Sequence, residues 1–292
     1  MPILFEMPIA PHRLELKEFQ ILCKKTENLF LAERTTDHQK VLIQKEVAHN
    51  LSDHTKNIHM LSINTATNSS PFFLKLLGFD ASVETTQNGF ESVIYKFFEP
   101  FEGCLEDDLQ RLESDGIPFE NENILKVVEA ILIALVFSSQ RLGLQISKLE
   151  PKNILYDCHY NVKIFTPEFE PLPSLEEEKS SLDFQSSAQN TPDRKNSMMQ
   201  EDVPLSPATE TNSALQSLGK LIIRMIDFQT YQELEATTGK SCKIKLLKPL
   251  ASKHQQLVSI ATYLLQLQDA QRISAENALA HYFSQTQVTS SS

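Results

Sequence analysis

Residues 134–165 read ALVFSSQRLGLQISKLEPKNILYDCHYNVKIF and give the strongest indication of the fold class. They begin inside residues 123–141, which are so dense in apolar side chains that they predict a helix buried on several sides. Gly143 follows, and a glycine just past a helical pattern favours a C-terminal cap. We therefore expect a buried helix that ends near Gly143.

The residues before this segment predict a small, mostly β region. Two apolar patches, residues 29–31 and 41–43, flank the polar sequence ERTTDHQK, which is typical of a hairpin turn. FFLKLLGF (72–79) and ESVIYKFF (91–98) have the composition of strands, whereas the polar residues 48–68 predict one weakly specified helix. The first hundred residues are therefore expected to form a sheet with a single helix.

The residues after 104 predict helices, interrupted by one long loop. Two series of apolar residues repeat at helical spacing: Leu215, Leu218, Ile222 and Met225, and Leu257, Ile260, Leu264 and Leu267. Residues 166–213 differ, because they contain 12 Ser or Thr, six Pro and almost no apolar periodicity. Such a composition buries too little apolar area to offset the conformational entropy lost on ordering, so we expect a flexible loop there.

The composition argues against several classes of protein. The chain has 38 acidic and 27 basic residues, and its net charge of −11 disfavours binding to nucleic acid or to an anionic membrane. Its four cysteines are far apart and predict reduced thiols, neither a zinc site nor a disulfide framework. The N-terminus is a poor signal peptide, and the longest apolar run, residues 130–137, is too short to span a membrane. We expect a cytoplasmic protein.

The segment 134–165 resembles the catalytic loop of the protein kinases. In that family a buried helix is followed by H-R-D-L-K-P-x-N-I-L and by a short hairpin that ends in V-K-I-x-D-F-G. The residues that match this pattern in register are Leu149, Pro151, Asn153, Ile154, Leu155, Val162, Lys163 and Ile164. The resemblance implies a hairpin that ends at residues 162–164.

Further motifs in the family's order extend the resemblance from about Phe19 to Phe283. Residues 264–283 resemble the family's last conserved helix pattern, in which Arg272 takes the place of an arginine that forms a buried ion pair, with Glu201 as its best-placed partner here. Residues 217–219 resemble the S-L-G of the central helix. Residues 71–79 and 102–105 resemble the strand after the regulatory helix and the exit from the hinge.

This resemblance implies an α+β, two-lobed protein-kinase-like fold. Its boundaries are an N-terminal extension over 1–18, a kinase-like domain over 19–283 and a disordered tail over 284–292. Within the domain we expect a small, mostly β N-terminal lobe over about 19–99 and a larger helical C-terminal lobe over about 104–283. The segment 166–213 then corresponds to the activation segment.

The positions that bind nucleotide in the family are altered in this chain. In the family's glycine-rich loop, G-x-G-x-x-G, the three glycine positions correspond here to Leu22, Lys24 and Glu27. The first 77 residues contain no glycine at all. Gln44 replaces the lysine that pairs with the phosphates. No acidic residue lies between Asp53 and Asp80 to serve as its glutamate partner. We expect the adenine pocket to be occluded by three leucines: Leu29, Leu42 and Leu155.

The positions that carry the chemistry are altered as well. Lys148 replaces the aspartate that accepts the hydroxyl proton, Glu150 replaces the loop lysine, and Thr166 replaces the metal-binding aspartate. Asn153 alone remains from the metal ligands, and we interpret it as a loop-stabilising amide in preference to a ligand. Groups that act as a unit in catalysis leave little activity when several are lost.

The sequence therefore predicts a catalytically inactive kinase-like domain, a pseudokinase, that acts as a protein-binding scaffold or an allosteric module. We expect no catalytic residue, no cofactor and no metal, and we expect other proteins as partners, an active kinase or its substrates among them. The alternative is a divergent active serine/threonine kinase that uses ATP and Mg²⁺ through relocated charges such as Lys45 or Lys25. A third possibility is an unrelated α+β protein.

Overall fold

The computed structural model describes residues 12–86, 89–165, 168–171, 211–266 and 273–287. The fold is α+β, with a largely antiparallel sheet in the N-terminal region and helices in the C-terminal region. The chain divides into two compact units, one of Met1–Phe137 with Glu150–Thr166 and one of Ser138–Leu149 with Pro167–Ser292. The α+β class is thus confirmed, while the kinase-like arrangement of two lobes stays a prediction.

The first unit contains a six-stranded sheet. Its strands are β1 (His12–Arg13), β2 (Phe19–Thr26), β3 (Leu29–Arg34), β4 (Lys40–Ala48), β5 (Leu76–Thr86) and β6 (Gly89–Phe98). They lie in the order β1-β5-β6-β4-β3-β2, and all neighbours are antiparallel except the parallel pair β1–β5. The hairpin predicted between residues 29–31 and 41–43 is β3–β4, in which Glu33 is the register partner of Lys40.

The two faces of this sheet bury different apolar clusters, because side chains alternate along each strand. The Leu42 cluster consists of Leu42, Leu61, Leu74, Leu76, Phe98, Leu155 and Phe165. The Val41 cluster consists of Phe19, Ala32, Val41, Ile43 and Phe97. Gln44 and Glu46 share the strand parity of Leu42, whereas Lys45 shares that of Ile43.

Helix α1 (Leu51–Thr67) confirms the helix predicted within residues 48–68. Asn50 caps its first turn, because its Oδ1 accepts a hydrogen bond of 2.9 Å from the backbone N–H of Asp53. Leu61 joins this helix to the Leu42 cluster.

The strand predicted over residues 72–79 is shorter than expected and begins at Leu76. Residues 72–74 pair instead with Ile164, whose N–H donates to the Phe72 carbonyl at 2.7 Å and whose carbonyl accepts from Leu74 at 3.0 Å. The apolar pattern of FFLKLLGF therefore serves two different partners, which composition alone does not reveal.

The rest of the first unit supports a short hairpin. Its elements are β7 (Gly103–Cys104), α2 (Leu105–Asp115), α3 (Asn121–Phe137), β9 (Ile154–Tyr156) and β10 (Val162–Ile164). The strands form a sheet in the order β10-β9-β7. The antiparallel pairing of β9 with β10 confirms the hairpin expected to end at residues 162–164.

The second unit is mainly helical. It contains a π-helical turn (Ser138–Leu142), the antiparallel pair β8 (Leu144–Lys148) and β11 (Glu168–Pro171), and the helices α4 (Thr211–Ile226), α5 (Phe228–Ala236), α6 (Lys240–Ala251), α7 (Gln255–Leu264) and α8 (Ala275–Gln287). Gly219 of α4 lies against α7 so closely that a Cβ there would be 2.9 Å from the Leu265 Cγ atom and 3.2 Å from the Ala261 carbonyl oxygen. The two apolar series of the sequence thus become α4 and α7, with Leu267 outside the described residues.

Three further predicted boundaries differ from the structure, and the first is the tail expected to be disordered over 284–292, because helix α8 continues to Gln287. The helix expected to continue to Arg141 ends at Phe137 and gives way to the π-helical turn, after which Gly143 has a φ of +64°. The segment 166–213, expected to be a loop, includes strand β11 and the start of α4, while residues 166–167 and 172–210 lie outside the described residues. Among the described helices, none combines the length and the apolar character that crossing a bilayer requires.

Candidate functional site

Gln44 lies in the middle of the large sheet of the first unit. It is the register partner of Leu29 on β3 and of Lys96 on β6. The side chain is half-buried, and its Oε1 atom is buried without a hydrogen-bond partner among the described residues. The residue at the position of the family's phosphate-pairing lysine is thus a neutral amide set directly across from a lysine.

Lys96 is a buried cation that the sequence analysis overlooked. Its side chain is 1% exposed, and its Nζ lies 2.7 Å from Oε1 of Glu46, whose side chain is 21% exposed. Burial lowers the pKa of Lys96, although the nearby carboxylate of Glu46 opposes that shift. The signal was present in the alternation of ESVIYKFF, where Lys96 takes the inward parity of Ile94 and Phe98.

The three leucines predicted to occlude the adenine pocket come together in the first unit. Leu42 and Leu155 belong to the Leu42 cluster, and Leu29 packs against it. Phe98 and Phe165 join the same cluster with an edge-to-face contact of 5.1 Å between ring centroids. The three positions that the kinase resemblance assigns to adenine are therefore mutually packed side chains, and occlusion of a pocket there stays a prediction.

The predicted glycine-loop positions lie on a hairpin in the same sheet. Leu22 and Lys24 are exposed residues of β2, and Glu27 lies in the turn between β2 and β3. The register between β2 and β3 shifts between Ile21 and Cys23 and again between Lys24 and Thr26. The hairpin is present, and it carries side chains where the family has glycine.

Asn153 ends a short 3-10 turn, Pro151–Asn153, directly before β9. Its side-chain Nδ2 donates a hydrogen bond of 2.9 Å to the carbonyl oxygen of Phe165. The backbone N–H of Phe165 in turn donates to the carbonyl oxygen of Asn153 at 2.8 Å. The amide thus ties the turn to the residue that follows β10, as a loop-stabilising side chain does.

The other catalytic-loop positions are divided between the two units. In the first, Glu150 pairs with Lys152 at 2.6 Å. In the second, Lys148 is an exposed residue of β8, preceded by Ile146 and Ser147, which are both buried. The resemblance places Ile146 at the histidine of the family's H-R-D pattern. This apolar side chain is buried and contributes to packing.

Asp157 shapes the turn between β9 and β10. Its Oδ1 accepts hydrogen bonds from the backbone N–H groups of His159 at 2.8 Å and Asn161 at 2.9 Å. Burial alone would raise the pKa of Asp157, but these bonds, the Asn161 side chain and the charge of Lys163 together lower it. This carboxylate is used within its own turn.

Three residues singled out in the sequence, Thr166, Glu201 and Arg272, lie outside the described residues. Within the described part of the chain, no three His, Cys, Asp or Glu side chains are grouped as metal ligands would be.

The residues at the positions that the kinase resemblance assigns to the nucleotide differ from the family's residues in charge and in packing. The phosphate position offers the neutral Gln44, the adenine positions are filled by the Leu42 cluster, and the Asn153 amide donates to a backbone carbonyl. Compared with models of known protein families and with curated protein sequences, the chain matches none.

Proposed function

We propose that this chain is a catalytically inactive, protein-kinase-like domain that acts as a protein-binding scaffold or an allosteric module. The proposal rests on the resemblance carried by residues 134–165 together with the altered positions around them. Its partners would be other proteins, an active kinase or its substrates among them, and its compartment the cytoplasm.

The packing of Leu42 with Leu155 is the observation that carries this proposal. Both side chains are nearly inaccessible, with exposures of 1% and 2%, and Phe98 and Phe165 close the same cluster. Adenine binding would require these side chains to separate, and each buried leucine side chain contributes about 2 kcal/mol of burial free energy. Adenine binding here would therefore require free energy to separate the packed side chains, which a preformed pocket does not require.

The charges support the same conclusion. Phosphoryl transfer depends on cations and carboxylates at fixed positions around the phosphates. Here the lysine position holds Gln44, and the buried Lys96 forms its ion pair with Glu46, on the neighbouring strand. The base position holds Lys148, which is a cation in place of a carboxylate.

A phosphotransfer assay tests this function. The full chain is incubated with radiolabelled ATP and Mg²⁺, with casein and myelin basic protein as general acceptors and with its own serine-rich segment as an internal one. We expect no label above that of a heat-denatured sample. Label on either acceptor, or on the chain itself, would refute the proposal.

The second candidate is an active kinase that uses Lys96 in place of the missing lysine. The observation in its favour is the direct register of Lys96 with Gln44, on the same face of the sheet. Against it stands the 1% exposure of Lys96, which leaves its ammonium group no access to a phosphate in this conformation. If transfer is detected, a Lys96→Met variant decides, because loss of label would assign the catalytic cation to Lys96.

A further inference from the structure

Helix α6 and the turn after it are rich in lysine, although the protein as a whole is acidic. Residues 240–254 read KSCKIKLLKPLASKH and contain five lysines and no acidic residue. We call this set the lysine surface: Lys240, Lys243, Lys245, Lys248 and Lys253. The whole chain has a net charge of −11, so the charge of these 15 residues is opposite in sign to that of the chain.

The lysines are not neutralised by their neighbours. Four of them are exposed and Lys243 is half-exposed. None forms an ion pair with any residue that the structure describes. On the adjacent α5, Glu235 pairs with Lys220 at 2.9 Å, and Glu233 accepts a hydrogen bond from Gln229.

Folding alone does not favour this arrangement. Lys240 with Lys243, and Lys245 with Lys248, are spaced three residues apart on one helix, where like charges repel by about 0.2 to 0.5 kcal/mol a pair. Gly239, with a φ of +91°, begins the helix without a side-chain cap. An anion bound among these lysines would reduce the repulsion between them. Anion binding therefore accounts for the cluster, whereas packing within the fold does not.

The apolar side of α6 is already occupied. Leu247 is buried, and Ile244, Leu246 and Leu250 are half-buried, where α6 packs against α5 and α7. The helix therefore has no free apolar face to insert into a bilayer, which an interfacial helix requires. Its exposed residues are three lysines together with Ser241, Cys242 and Pro249.

The dimensions indicate a short, extended ligand. A helix of 12 residues is about 18 Å long, and an extended chain covers that length with about five or six residues. A much larger polyanion, such as a DNA duplex or a membrane surface, would also bring its negative charge close to the acidic remainder of this protein. We propose that the lysine surface binds an acidic, extended segment of a protein partner.

This inference does not depend on the kinase resemblance, because α6 lies outside every motif that carries it. The test uses the full chain and a fluorescein-labelled peptide of ten glutamates as the probe, measured by fluorescence anisotropy at 50 mM NaCl. We expect binding in the micromolar range that weakens steeply with salt. No binding to the unmodified chain would overturn the proposal.

Two variants with the same change in net charge locate the site. Lys245→Glu/Lys248→Glu is expected to weaken peptide binding at least tenfold, while Lys40→Glu/Lys75→Glu, which reverses two exposed lysines of the first unit, is expected to change it less than twofold. Equal weakening by both would show that only net charge matters and would refute the site. If the first variant fails to fold, as judged by circular dichroism, Lys245→Gln/Lys248→Gln replaces it.

Two competing polyanions test the class of partner. Vesicles of phosphatidylcholine and phosphatidylserine at a 7:3 ratio, and a 20-base-pair DNA duplex, are added at equal charge concentration to the peptide complex. We expect the peptide to remain bound to the chain. Displacement by vesicles or by DNA at that concentration would contradict an acidic protein segment as the partner.

Discussion

Lys96 and Glu46 form an ion pair on adjacent strands of the large sheet, with 2.7 Å between Nζ and Oε1. The Lys96 side chain is almost fully buried and the Glu46 side chain is 21% exposed, but the Oε2 atom of Glu46 is buried and has no hydrogen-bond partner among the described residues. The pair stands on the face that also carries Gln44 and the Leu42 cluster. The positive charge of Lys96 is therefore paired with a negative charge within the sheet.

Removal of one partner should destabilise the first unit. Glu46→Gln leaves a buried ammonium group without a counter-ion, and we expect the free energy of unfolding to fall by about 3 kcal/mol at pH 7. Replacement of both partners, Lys96→Met/Glu46→Leu, should cost less than Glu46→Gln alone. Urea denaturation followed by circular dichroism measures both; a double variant that is less stable than Glu46→Gln would contradict this account.

The cost of Glu46→Gln should depend on pH. Burial lowers the pKa of Lys96 in the folded state below its ordinary value of 10.5. At pH values between the folded and the ordinary pKa, the unfolded chain therefore binds more protons than the folded chain. Stability therefore rises as the pH increases toward 10.5, and the deficit of Glu46→Gln shrinks. The same urea series, repeated between pH 7 and pH 10, tests this expectation. A deficit that stays constant over the series would show that Lys96 keeps its proton.

Gln44→Lys should destabilise the chain and should not create a nucleotide site. The new ammonium group would stand directly across from Lys96, and like charges on opposed strand positions repel. We expect a loss of about 1 to 2 kcal/mol in the same urea assay. The exchange variant Gln44→Lys/Lys96→Gln keeps one lysine on this face, and it should recover part of the loss; equal losses in both would count against repulsion.

Asn153→Asp distinguishes a loop amide from a metal ligand. The change removes the donor of the 2.9 Å bond and places a carboxylate against the Phe165 carbonyl, so we expect about 1 to 3 kcal/mol of destabilisation. Asn153→Ala should cost about 1 kcal/mol. Addition of 10 mM MgCl₂ should not raise the melting temperature of either variant or of the unmodified chain, and a rise confined to Asn153→Asp would instead indicate a cation site there.

Gly219→Ala should destabilise the second unit, although alanine is the better helix former. The helical preference gains about 1 kcal/mol, but the new Cβ would lie 2.9 Å from Leu265 Cγ and 3.2 Å from the Ala261 carbonyl oxygen. Overpacking of this kind costs about 1 to 3 kcal/mol, and we expect a net loss near 1 kcal/mol. Gln216→Ala, on the same helix, is the control and should leave stability unchanged or slightly higher.

The sequence predicted the elements that periodicity specifies and missed those that depend on tertiary contacts. Helices α4 and α7 follow from apolar spacing, α3 from its apolar density and the β3–β4 hairpin from two apolar patches around a polar turn, but the split of residues 72–79 follows from none of these. Phe72 and Leu74 find their backbone partners in Ile164, which lies 90 residues away or more. Such a pairing leaves no trace in local composition.

The candidate site was predicted through a family register, and that register is the reason that Lys96 was overlooked. The family register identifies Gln44 as a replaced lysine but says nothing about Lys96, because the order of strands in a sheet cannot be read from the sequence. The orphaned Oε1 of Gln44 and Nδ2 of the buried Asn64 likewise appear only in three dimensions. The grouping of Leu29, Leu42 and Leu155, in contrast, had been expected from the register alone.

Thermal denaturation with ATP tests the central claim most directly. A ligand that binds the folded chain stabilises it by RT ln(1 + [L]/Kd), so a nucleotide site of ordinary affinity must raise the melting temperature at 5 mM ATP. We expect no rise above about 1 °C, with or without 10 mM MgCl₂. A rise of several degrees that requires both ATP and magnesium would contradict the account of an occluded, inactive site.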